Sequence, residues 1–108
     1  MTMTLPPLVE RTIERLVRAF APERIIVFGS YAKGINNAHS DVDLLVVANL
    51  EGNPGIHQRR ARQLTANCFP RVDVVFCSSE EFTEAAGQPS PFLLSILDSG
   101  VTVFSRVQ

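Results

Sequence analysis

Three aspartates and one glycine–serine turn are the residues whose types and spacing suit chemistry on phosphate. Asp41 and Asp43 stand two apart at the head of the apolar run Val42-Asp43-Leu44-Leu45-Val46-Val47, and Asp73 lies between Val72 and Val74. Side chains two apart on a strand project to one face. Asp41 and Asp43 would therefore offer hard oxygen ligands side by side, of the kind magnesium takes. An ionised Asp73 in an apolar run is costly unless it reaches solvent or a cation, and a metal ion would meet that cost. Gly29 lets a backbone approach a phosphate, and Ser30 adds a hydroxyl donor. A short helix beginning at Tyr31 to Lys33 would turn free N–H groups toward the same anion. Nucleotidyl transfer needs both parts, a cradle for a polyanion and carboxylates that hold metal against the reacting phosphate. Three carboxylates at one end of neighbouring strands would suit two cations about 3.5–4 Å apart, one for the acceptor oxygen and one for the triphosphate.

Other polar residues carry weaker signals. A calcium loop is excluded because Leu44-Leu45-Val46-Val47 follows Asp43, where a third oxygen ligand and a glycine would be needed. Lys33 is expected to be a solvated turn residue. Arg59, Arg60 and Arg62 read as a solvated face, suited to contact with a partner before catalysis. His39 and His57 are expected to be incidental, since magnesium prefers oxygen. Ser40 is expected to bond local backbone and orient the Asp41 loop. Cys68 and Cys77 form no Cys-x-x-Cys pair and are expected to be buried free thiols. Phe92, Leu93, Ile96 and Leu97 are expected in the core, with docking of a partner helix by part of the stripe as the alternative.

The elements that must position these residues follow from hydrophobic period. Val9, Ile13, Leu16, Val17 and Phe20 recur at three- and four-residue steps between Pro7 and Pro22, which predicts an amphipathic helix from Leu8 to Phe20. Arg24 to Phe28 reads as a strand stopped by Gly29, and Asp41 to Ala48 as a buried strand beginning at the acidic pair. Pro54 to Phe69 reads as a helix with a thin stripe of Ala61, Leu64 and Cys68. Arg71 to Phe76 reads as a third strand. A loop with Gln88-Pro89-Ser90-Pro91, a helix over Phe92 to Leu97 and a strand over Val101 to Phe104 complete the chain. Strands separated by helices predict an α+β (α/β-like) domain with one mixed sheet.

Composition bounds the rest. The 108 residues are 45% hydrophobic and 19% charged, which fits one folded domain over residues 1–108. Ten basic against eleven acidic residues give a charge of −1, so no broad positive field exists for a nucleic-acid backbone. Nothing reads as a signal peptide or a membrane span, and the expected location is the cytoplasm.

Gly29-Ser30, ten intervening residues, then Asp41-Val42-Asp43 resembles the signature of the DNA polymerase beta nucleotidyltransferase superfamily. Within it, Phe28-Gly-Ser-Tyr-Ala-Lys-Gly34, Ser40-Asp-Val-Asp-Leu-Leu45 and Val72-Asp73-Val74 look most like the minimal nucleotidyltransferases paired with HEPN-domain proteins. The resemblance implies a small mixed β-sheet flanked by helices, the nucleotidyltransferase fold. It implies that Gly29 and Ser30 bind ATP, and that Asp41, Asp43 and Asp73 ligate Mg2+ and are catalytic, Asp73 also assisting deprotonation of the acceptor hydroxyl. It further implies an antitoxin that transfers AMP to a tyrosine hydroxyl of a cognate HEPN ribonuclease toxin, with no direct binding of nucleic acid. Two alternatives stand beside it: an antitoxin that only binds, and a stand-alone transferase acting on a small hydroxylated molecule.

Overall fold

The computed structural model describes residues 4–87 and 91–106. In chain order they form α1 (Pro7–Phe20), β1 (Arg24–Phe28), α2 (Ser30–Lys33), β2 (Val42–Val47), α3 (Pro54–Thr65), β3 (Val72–Cys77), α4 (Ser79–Gly87), α5 (Pro91–Ser99) and β4 (Val101–Ser105). The strands lie in the order β3-β2-β1-β4. β1 is antiparallel to both β2 and β4, while β2 and β3 are parallel. The parallel pair requires a crossover, and α3 supplies it. This is the mixed sheet with flanking helices that the strand–helix alternation predicts.

Period-two alternation divides the sheet into two faces. Val42, Leu44 and Val46 join Ile25, Val27, Val72 and Val74 on one face, against Val9, Ile13, Leu16 and Phe20 of α1 and Ala61 of α3. Ile26, Leu45, Val47 and Cys77 lie on the other, with Ile96 of α5, and Phe28, Phe82 and Leu93 pack against them. Asp43 falls in phase with Leu45 and Val47, so its carboxyl belongs to the α4/α5 side. Val42 is fully buried on the opposite side.

α1 starts with Pro7 in the first turn and ends at Ala21, whose left-handed backbone (φ 44°, ψ 54°) lets its N–H donate to Val17 O. Buried Thr12 is satisfied within the helix, its hydroxyl donating to Leu8 O at 2.8 Å.

Several expectations shift. β2 begins at Val42, leaving Asp41 in the preceding loop, and α3 ends at Thr65 rather than running to Phe69. Of the loop expected after β3, Ser79–Gly87 form helix α4 and Pro91 opens α5, while Gln88-Pro89-Ser90 lie outside the described residues. The signal for α4 is Ser78-x-x-Glu81: Glu81 N donates to Ser78 Oγ at 3.0 Å, and Ser78 N donates to Glu81 Oε1 at 3.1 Å, a reciprocal capping box. The α5 stripe is only partly core, for Ile96 is 2% exposed whereas Phe92 and Leu97 are 51% and 40% exposed. A nine-residue helix on an already layered sheet turns one narrow face inward, and Leu93 and Ile96 occupy it. Both cysteines are free, but only Cys77 is buried. Burial, with Glu81 nearby, pushes its thiol up to about 11.

Candidate active site

Backbone pairing brings the predicted residues to one end of the sheet. Val42 N donates to Arg71 O at 2.8 Å, tying the head of β2 to that of β3. From there the register sets Asp43 beside Asp73 on one side and Phe28 on the other. The end of β1 and the starts of β2 and β3 thus converge.

Gly29 is required twice. Its backbone (φ 74°, ψ −150°) lies where L side chains are strained, and a Cβ there would run into Asp43 Oδ2. Only glycine lets the turn pass this close to the carboxylate. The chain then enters α2, a four-residue helix whose Lys33 N donates to Gly29 O at 3.1 Å. The N–H groups of a first turn precede such bonds and point outward from the helix start. Gly34, with φ 73°, closes the helix.

The loop before Asp41 bonds to itself. Asn37 N donates to Ser40 Oγ at 2.9 Å, Ser40 N to Asn37 O at 3.1 Å, and His39 N to Asn37 Oδ1 at 2.8 Å. Ser40 therefore has the local orienting role expected of it. His39 and Lys33 are exposed, as are Arg59, Arg60 and Arg62.

The electrostatics are those of crowded carboxylates. Asp43 has its pKa raised from the ordinary 3.8, chiefly by burial, then by the negative charge of Asp73 and of Asp41. Asp73 meets its apolar neighbours by another route than metal alone. Its side chain is 46% exposed at the edge strand, and its Oδ1 lies 3.6 Å from Arg71 Nε. Such an exposed pair is worth little energetically. Among the described residues no three His, Cys, Asp or Glu side chains converge tightly enough to hold one ion. The donor chemistry nonetheless fits a hard divalent cation: three carboxylates at one end of the sheet, with Asp43 half-buried and its ionisation opposed first by burial and then by the charges of Asp73 and Asp41. Asp41, Asp43 and Asp73 are the residues that would hold it.

Two rings beside Asp43 escaped the sequence reading. Phe28 sits directly opposite Asp43 in the antiparallel pair, and Phe92 meets Phe28 edge-on, with centroids 5.8 Å apart and planes at 88°. Phe28 is legible from sequence as the residue that precedes Gly29; the approach of Phe92 is a tertiary event. Asp73 also lines a cleft of about 520 Å³ with Arg62, Arg71 and Gln58. Larger clefts lie between α1 and β4 and at the far ends of β2 and β3, away from the aspartates.

A four-stranded mixed sheet that carries a Gly-Ser turn against an Asp-x-Asp strand head defines a nucleotidyltransferase domain. A sequence profile of the nucleotidyltransferase domain family matches residues 9–98, and the chain belongs to that family. No curated protein matches the sequence significantly. Among solved structures, a protein described as a nucleotidyltransferase from Sulfolobus solfataricus superposes with a TM-score of 0.64 at 20% identity, over 92% of this chain and 78% of that one. A toxin–antitoxin complex with AMP-PNP superposes with a TM-score of 0.60 at 24% identity, over 89% of this chain and 73% of that one. A variant of the toxin–antitoxin MntA-HpeT, in which two aspartates two positions apart are replaced by glutamate, gives a TM-score of 0.59 at 22% identity, over 89% and 73%. These likenesses extend the fold across nearly the whole chain. Among the described residues no helix is long and apolar enough to cross a membrane.

Proposed function

We propose that the chain is a cytoplasmic antitoxin that transfers AMP from ATP to a tyrosine hydroxyl of a cognate HEPN ribonuclease toxin, using one domain over residues 1–108. The observation that carries the transfer chemistry is the pairing of Asp43 with Asp73 across adjoining strands, with Gly29 packed against the Asp43 carboxylate. The toxin–antitoxin neighbours, one holding AMP-PNP and one altered at an aspartate pair of the same spacing, support the partner and the nucleotide.

The roles follow from position. Gly29 and the first-turn N–H groups of α2 receive the triphosphate, and Ser30 adds a hydroxyl donor. Asp41 and Asp43 hold Mg2+, with Asp73 as third ligand. Bound magnesium supplies charge neutralisation along the triphosphate and favours the ionised acceptor oxygen. Asp73, half-exposed on an edge strand, accepts the acceptor's proton. The acceptor oxygen then bonds to the α-phosphorus, and the bond from that phosphorus to the bridging oxygen breaks to release pyrophosphate.

The test is intact-mass analysis after the purified chain is incubated with magnesium, ATP and the protein encoded beside it. The expected result is one or more AMP additions on that protein. Asp41→Ala should abolish them, and Asp73→Asn should slow them at least about a hundredfold while the fold persists. A neighbour that binds but stays unmodified would overturn the transferase reading in favour of binding alone.

A further inference from the structure

Beside Asp43 stand two rings that the transfer chemistry does not use. Phe28 is opposite Asp43 in the β1–β2 pair, and directly opposed residues share a face, so its ring borders the carboxylate. It is half-buried against the smaller core formed around Ile26, Leu45 and Ile96. Phe92, the second residue of α5, stands at 88° to it in edge contact, yet remains 51% exposed. A ring held upright along one side and left open along the other is poor core and good platform. The inward face of α5 is already supplied by Leu93 and Ile96, so packing does not require an aromatic at position 92.

Position points to what the open face receives. Gly29 follows Phe28 directly, so the phosphate cradle and the ring pair share one turn. A nucleoside triphosphate laid on Gly29-Ser30, with its α-phosphate at Asp43, must carry its ribose and base off one end of the site. Phe92 touches Phe28, the cross-strand partner of Asp43, and is half-exposed there. Stacking on such a surface tolerates any base and is strongest for purines.

We propose that Phe92 is the platform on which the base of the bound nucleoside triphosphate stacks, with Phe28 fixing the orientation of the ring. This rests on the triphosphate reading above and adds to it the group that grips the nucleoside end.

Calorimetric titration of the chain with magnesium α,β-methylene-ATP, and separately with magnesium tripolyphosphate, tests it. Phe92→Ala is expected to weaken the nucleotide at least about tenfold and leave tripolyphosphate unchanged. Phe92→Leu, which keeps apolar bulk without a π face, should fall with alanine, whereas Phe92→Trp should bind at least as well as phenylalanine. The chain contains no tryptophan, so that variant also reports directly: its emission should be quenched by the nucleotide and not by tripolyphosphate. Wild-type affinity in the leucine variant, or equal weakening of both ligands by alanine, overturns the platform. A wild-type chain that binds neither ligand removes the cradle itself, and the platform with it; one that binds tripolyphosphate but loses nothing at Phe92→Ala removes the platform alone.

Discussion

Asp43 carries the opposition between stability and chemistry at the residue scale. Burial and two neighbouring carboxylates raise its pKa, so the fold favours its neutral form. A raised folded pKa means the favourable contribution is full below the unfolded value and is lost as pH rises through the folded one. At neutral pH the ionised group is therefore a net burden. Asp43→Asn, nearly equal in volume, should raise Tm by a few degrees at pH 7 in chelator and make no difference at strongly acid pH, while it abolishes transfer. Thermal melts across pH check this, and equal Tm values at pH 7 would remove the charge-crowding account. Gly29 shows the same economy in backbone terms, since its positive φ and missing Cβ both serve the approach to Asp43.

At the scale of elements, α1 ends with a non-glycine residue in left-handed backbone, Ala21 at φ 44°. Glycine takes that conformation without the steric cost borne by a Cβ, though it also widens the unfolded ensemble. Ala21→Gly should therefore gain a net of about 0.5 kcal/mol, or about 2–4 °C in Tm, by thermal denaturation. No gain would mean that the Ala21 methyl contributes packing of equal size. β3 matters as an edge: an edge strand leaves Asp73 in reach of solvent and of Arg71, where a central strand would bury it.

The whole molecule is a sheet with unequal layers. The face under α1 and α3 gathers a long list of fully buried side chains, whereas the α4/α5 face holds a smaller cluster and leaves Leu94, Leu97 and Phe92 exposed. Local opening follows the thinner layer. In hydrogen exchange, α5 amides should exchange at least about tenfold faster than those of β1 and β2, whose strands pair on both sides. Equal protection would show the two layers to be one cooperative unit. The thin layer is also the one that carries Phe92, on the face of the sheet to which Asp43 belongs.

Sequence by itself determined most of the elements and the chemical inventory. The three-and-four spacing of α1 and the β-branched runs of β1 and β2 are local consequences of which residues can be wetted. The Gly29-Ser30 turn and the Asp41-x-Asp43 pair were legible because each is a short contiguous stretch at the boundary of one element. Helix α4 escaped because nine residues carry little periodicity, and only its Ser78–Glu81 box betrayed it. The tertiary structure alone decided that β3 lies parallel to β2, which puts Asp73 beside Asp43 from thirty residues away. It decided too that Arg71 competes for Asp73, and that Phe92 stands exposed against Phe28. Pairings between distant segments depend on how whole faces pack, and period within a segment carries no information about its neighbour across the sheet.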